Sequence, residues 1–230
     1  ELAAAQGAPE PDTARAQDGQ PGALRGVVTL TLETRQAHRM VRGRPGNAEK
    51  PAIIGLLGFA SLLRALWHGA RAADPYAEWW LVRIHQALAD AEQALQGLIT
   101  DTEPMLARTA ALRATPGESV RPSRTPLRFS NPYAYRGALL VAIYDRLARA
   151  VLSAQHLGVL SRAEGERRLG LGGRALRRAF LSPMGYRMTG VTREDLYQGT
   201  ARGIAARQAM GEVPEDILSG TRGAPHAPLQ

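Results

Sequence analysis

The chain has no cysteine, a single lysine, few aromatic residues and no long apolar run. The missing thiols exclude disulfides, thiolate metal sites and a cysteine nucleophile, and they fit a reducing compartment, with the cytoplasm as the default location. The most apolar stretch, Pro51 to Trp67, is interrupted by Arg64 and followed by His68, well short of a membrane span. No membrane partner is therefore expected. The start of the chain also lacks the basic-then-apolar order of a secretory signal.

Catalytic patterns are missing as well. His38, His68, His85, His156 and His226 never fall at ligand spacing, and no His-Glu-x-x-His accompanies them. No nucleophile-elbow serine or P-loop occurs. Gly170-Leu171-Gly172-Gly173-Arg174-Ala175 matches the glycine-rich dinucleotide fingerprint in form, but charged residues 164–168 precede it where that motif needs a buried strand. Those glycines read instead as a hinge or a close helix contact. Trp79 and Trp80, beside Tyr76, fall toward a helix core face, so a structural role outweighs base stacking. The expectation is a non-enzyme with no catalytic residue, cofactor, metal site or small-molecule ligand.

What is abundant is arginine. The formal net charge is +8 and the pI about 10.7, with Lys50 the only lysine. Excess guanidinium attracts polyanions and pairs bidentately with phosphate, which favours nucleic acid as the partner. The densest basic run is Arg162, Arg167, Arg168, Arg174, Arg177 and Arg178, partly offset by Glu164 and Glu166.

The patterning predicts a mostly α-helical fold with one short β-ribbon. Val28, Leu30 and Leu32 alternate with Thr29, Thr31 and Glu33, the mark of a strand with one apolar and one polar face. Thr34 caps a short helix over 35–42, and a second helix is expected from about Asn47 to Arg71, burying Ile54, Leu57, Leu62 and Leu66. Asp74-Pro75 and Asn131-Pro132 open two long amphipathic helices, the second reaching about Leu157. Between them, four prolines and several arginines predict a mobile basic loop and a short strand at Leu127 to Phe129. Ser161 and Glu164 form a capping box, whose helix should be interrupted at residues 170–173. Thr192 starts a last helix to about Met210, with one further turn over 214–218.

A lone strand is unstable, so the strand at 24–33 must pair either with Leu127 to Phe129 or with its copy in another subunit. Pairing across a two-fold axis would give an antiparallel ribbon with Val28, Leu30 and Leu32 underneath, turning Arg25, Thr29 and Thr31 outward, and such a ribbon suits a major groove.

Several long blocks, Ile53 to Ala60, Asp74 to Leu81, Phe129 to Tyr133, Gly190 to Asp195, Pro214 to Gly220 and Ala224 to His226, resemble the AcaB-like transcriptional regulator family of integrating conjugative elements and conjugative plasmids. The resemblance implies a homodimer related to the ribbon-helix-helix class, with a ribbon built from two subunits. Composition, with almost no large apolar side chains at 1–22, predicts a disordered arm there, followed by a single mostly helical domain at 23–220. That domain comprises a ribbon-helix-helix-like part at 23–72 and a helical extension at 73–220 that contains the basic proline-rich loop 113–128. A disordered tail follows at 221–230.

The function expected is a DNA-binding regulator of conjugative-transfer genes. Arg25, Thr29 and Thr31 would face bases, while Arg35, Arg39, Arg42, Arg44, Asn47 and Lys50 would hold phosphates, the turn at Gly46-Asn47-Ala48 offering backbone amides. Glu33 on the polar face would oppose phosphate. The rival is a helical accessory protein of the transfer machinery that binds another protein, marked by an exposed apolar patch and dimerisation without DNA affinity.

Overall fold

The computed structural model describes residues 26–107 and 114–228, so the expected arm and Arg25 lie outside the described residues. Strand β1 spans Val28–Leu32, with Leu30 and Leu32 buried and Thr29 and Thr31 exposed, as the alternation predicts, while Val28, expected underneath, is exposed at the start of the strand. The Thr34 hydroxyl accepts the Ala37 amide at 3.2 Å, and helix α1 runs Arg35–Arg42.

The segment after α1 departs from expectation. Instead of a helix from Asn47, Gly43–Arg44 (β2) and Ile53–Ile54 (β3) pair as a small antiparallel hairpin, and helix α2 spans only Leu56–Arg71. Glycine on both sides permits the approach. A Cβ on Gly43 would stand 2.0 Å from the Ile53 carbonyl oxygen, and one on Gly55 2.3 Å from the Gly43 nitrogen. The buried stripe of α2 also differs: Leu56, Phe59, Leu63 and Leu66 are inside, while Leu57 and Leu62 are 45% and 37% exposed. Each of the buried side chains contributes about 1.5–3 kcal/mol through apolar burial.

Two long helices form as their caps predict. Asp74 accepts the Tyr76 amide at 2.9 Å and starts α3, Pro75–Thr102, which buries Trp80, Ile84, Leu88, Ala91, Leu95 and Ile99. A 3-10 turn, Glu103–Ala107, follows. Asn131 accepts the Ala134 amide at 2.9 Å and starts α4, Pro132–His156, which is apolar and buried around most of its circumference. Helix α4 is accordingly the centre of the fold, touching β1, α1, α2, α3 and α5.

Helix α5, Arg162–Leu181, is continuous, so the expected interruption at its glycines does not occur. They mark a close helix contact instead. A Cβ on Gly172 would meet Leu147 at 2.8 Å, Leu95 at 3.0 Å and Tyr144 at 3.2 Å. The capping box is half realised: Ser161 accepts the Glu164 amide, but the Glu164 carboxylate turns to Arg167 and Arg168.

The single helix expected from Thr192 to Met210 is two, α6 (Arg193–Gln198) and α7 (Ala201–Met210), separated by left-handed Gly199 and recapped by Thr200. The last turn, α8, is Glu215–Leu218. Residues 221–228 are not a free tail: Ala224 is buried, Ala227 packs on the core, and the His226 amide donates to the Tyr133 hydroxyl.

Strand β4 spans Ser123–Leu127, earlier than the expected 127–129, and pairs antiparallel with β1 in the register Val28 to Leu127 through Leu32 to Ser123. Both strands belong to one chain, so the partner found is the internal one and not the second subunit that the family resemblance implied. Pro126 is tolerated because each strand of a two-stranded sheet is an edge.

Candidate nucleic-acid interface

The ribbon is fixed to the core by one buried carboxylate. Asp145 on α4 accepts the Glu33 amide at 2.9 Å, the Thr34 amide at 2.9 Å and the Thr34 hydroxyl at 2.6 Å. Three donors at the strand-to-helix turn therefore converge on one side chain, and the angle between β1 and α1 is set from beneath. His38 Nδ1 lies 2.9 Å from the Ser123 hydroxyl and ties α1 to β4.

With its underside committed, the ribbon presents Thr29 and Thr31 outward, as expected for the base-facing positions. The register adds a residue that single-strand reasoning missed. Directly opposite residues share a face, so Arg124 stands beside Thr31 and Pro126 beside Thr29. Arg124 is exposed. Its alternating signal, Arg124 and Pro126 out with Leu127 in, was hidden among the prolines of the loop. Glu33, beyond the last paired residue of β1, is half-buried, and its carboxylate accepts the Ser119 amide at 2.8 Å and anchors the loop before β4.

Helix α1 turns Ala37 and Val41 inward and exposes Arg35, Arg39 and Arg42, which fall within about 60° around the helix axis. Arg44 is exposed on the hairpin, where its guanidinium donates to the Pro51 carbonyl at 3.0 Å. Asn47 and Lys50 are exposed at the hairpin tip. The phosphate nest expected there is corrected. The Asn47 side-chain oxygen accepts the Glu49 and Lys50 amides at 3.1 and 2.8 Å, and the Asn47 amide donates to the Lys50 carbonyl. The Asn47 and Lys50 amides are thus spent inside the turn, which also lies several residues ahead of α2.

Trp80 is buried, with its indole N–H donating to the Met184 carbonyl at 3.3 Å, and Arg83 stacks over both tryptophans. They are structural. Among the described residues, no helix is long and apolar enough to cross a membrane.

The fold and this surface define a helical protein that displays a two-stranded ribbon and an arginine-rich helix on one basic region. The sequence profile of a family described as "Transcriptional regulator AcaB" matches residues 20–230, and the chain belongs to that family. A solved structure, selenomethionine-containing AcaB from uropathogenic E. coli, is similar in fold: TM-score 0.56 at 13% identity, covering 86% of this chain and 97% of that one. No curated protein matches the chain.

Proposed function

We propose that this protein is a DNA-binding regulator of conjugative-transfer genes on an integrating conjugative element, acting in the bacterial cytoplasm as a homodimer that sets the β1–β4 ribbon into the major groove. The observation that carries this reading is the ribbon's outer face. Thr29, Thr31 and Arg124 stand there without a carboxylate, on a platform whose underside is locked by Leu30, Leu32 and Asp145. Hydroxyls accept or donate to base edges, and a guanidinium pairs with guanine O6 and N7. The sequence pattern adds Arg25 as a further base contact.

Phosphate contacts position such a protein and base contacts specify its site. Arg35, Arg39, Arg42 and Arg44 would hold the backbone, with Lys50 and Asn47 at the hairpin tip. Because the ribbon is complete within one chain, each subunit can read its own half-site, and dimerisation sets the spacing between half-sites.

The test is fluorescence-anisotropy binding to duplexes from the element's promoters and to a scrambled duplex, across a salt series. Arg124→Ala should lower the preference for the promoter about 5- to 150-fold, the range of one bidentate base contact, and Thr31→Ala about 2- to 12-fold, the range of one hydrogen bond. Arg42→Ala should weaken both duplexes about equally. Equal, weak binding of both duplexes by the unaltered protein would sink the reading and favour a protein-binding accessory.

A further inference from the structure

Helix α5 carries six arginines in two groups with different surroundings. In its first half, Arg162 pairs with Glu166 at 2.9 Å, and Arg167 and Arg168 share Glu164 at 2.7 and 2.8 Å. Arg168 also donates to the Thr102 hydroxyl at 2.7 Å. In the second half, Arg174, Arg177 and Arg178 make no ion pair or hydrogen bond through their guanidinium groups among the described residues.

The fold carries this second half to the hairpin and α1. Gly173 permits the approach: a Cβ there would lie 3.2 Å from Met40 on α1 and 3.5 Å from the Tyr144 hydroxyl on α4. A cavity of about 530 Å³ beside the hairpin is lined by Arg39, Arg44 and Arg177 over Met40, Ile53 and Tyr144. A neighbouring cavity of about 370 Å³ shares Ile53 and Arg177 and adds Arg174 and Arg178. No carboxylate lines either one. Burial raises the Tyr144 pKa, with nearby Arg177 acting against the shift, so the tyrosine supplies no negative charge at neutral pH.

We infer that Arg174, Arg177 and Arg178, with Arg39 and Arg44, form a second grip on the DNA phosphate backbone, distinct from the ribbon. This rests on the reading of the protein as a DNA-binding regulator. Five unneutralised guanidiniums on one continuous surface complement a polyphosphate strand. Duplex DNA is the occupant because Arg39 lies within the exposed Arg35–Arg39–Arg42 side of α1, which joins this surface to the ribbon. A backbone grip of this kind adds affinity without reading sequence.

The experiment compares the full-length protein with R174A/R177A/R178A, R174K/R177K/R178K and the control R162A/R167A, using promoter and scrambled duplexes over a salt series. The triple alanine variant should lose affinity for both duplexes in equal proportion. Its slope of log affinity against log salt should become shallower by about 2.7, or 0.9 for each of three phosphates. The lysine variant should keep the slope, and the control should match the parent. If the parent binds promoter DNA specifically and the triple alanine variant binds with unchanged slope, this grip is refuted and the ribbon reading stands. If the parent binds no duplex, the underlying reading fails first.

Discussion

Two of the places where the described residues display arginine without a carboxylate partner are held by opposite means. The ribbon and α1 hang on an added group, the Asp145 carboxylate, which collects three donors from the strand-to-helix turn. The second half of α5 is held by missing groups, because the absent side chains of Gly172 and Gly173 let it lie against α4, α3 and α1. One end is therefore vulnerable to deletion and the other to addition. Both routes produce the same surface chemistry, so arginine content alone is a poor guide to what keeps a basic face in position.

Asp145→Ala should give the largest effect. It leaves three donors, two of them buried on Thr34, without an acceptor, at a cost of about 4 kcal/mol in chemical denaturation. Asp145→Asn, which keeps one acceptor oxygen, should cost about half as much. Equal stability of the alanine variant and the parent would show that the ribbon does not depend on its polar anchor.

Gly172→Val comes next, at about 3 kcal/mol, because its Cβ branches meet Leu147, Leu95 and Tyr144 in a packed interior. Its counterpart is Gly97 on α3, where an added Cβ meets nothing within 4 Å. Gly97→Ala should stabilise by up to about 1 kcal/mol through helix propensity. If both glycine substitutions shift stability in the same direction, the close-contact account of α5 is wrong.

The smallest effects concern the neutralised half of α5. Hydrogen bonds from Arg167 and Arg168 hold the Glu164 carboxyl well below its ordinary value, at about 2. A depressed carboxyl pKa stabilises the fold above the ordinary value of 4.5, and that contribution disappears as pH falls through about 2. Carboxyl NMR should place the Glu164 midpoint near the lower figure; a midpoint at 4.5 would deny the pairing. Glu164→Gln frees the exposed Arg167 guanidinium and removes one negative charge, and should raise affinity for scrambled duplex a few-fold, making the first half resemble the second. No gain would mean that neutralisation is not what separates the halves.

Much of the fold was legible locally. Thr34, Asp74-Pro75, Asn131-Pro132 and Ser161 each start a helix where their chemistry places it, and the alternation of β1 fixed which threonines face out. The misreadings have a common cause. Helix α2 begins after a hairpin that closes only because Gly43 and Gly55 meet, and its buried stripe follows from packing on α4, so residues expected inside lie outside. The glycines of α5 read equally well as a hinge or a contact until Leu147 and Leu95 were placed beside them. Gly199 broke the last helix although the flanking pattern ran through it.

The candidate site divides along the same line. Thr29, Thr31, Arg35, Arg39 and Arg42 were readable because strand and helix periodicity places them within a few residues of one another. Arg124 was not, since only the β1–β4 register sets it beside Thr31. The phosphate nest at Asn47 was plausible until the turn was seen to use its own amides.

By itself the sequence determined the charge, the absence of thiol chemistry, the helix starts at Thr34, Asp74, Asn131 and Ser161 and the outward face of the β1 threonines, all properties settled by neighbours along the chain. Only the tertiary structure decided which strand completes the ribbon, which arginines find a carboxylate and which remain free. Those outcomes depend on contacts between residues far apart in sequence, where packing and desolvation, not local propensity, set the energy.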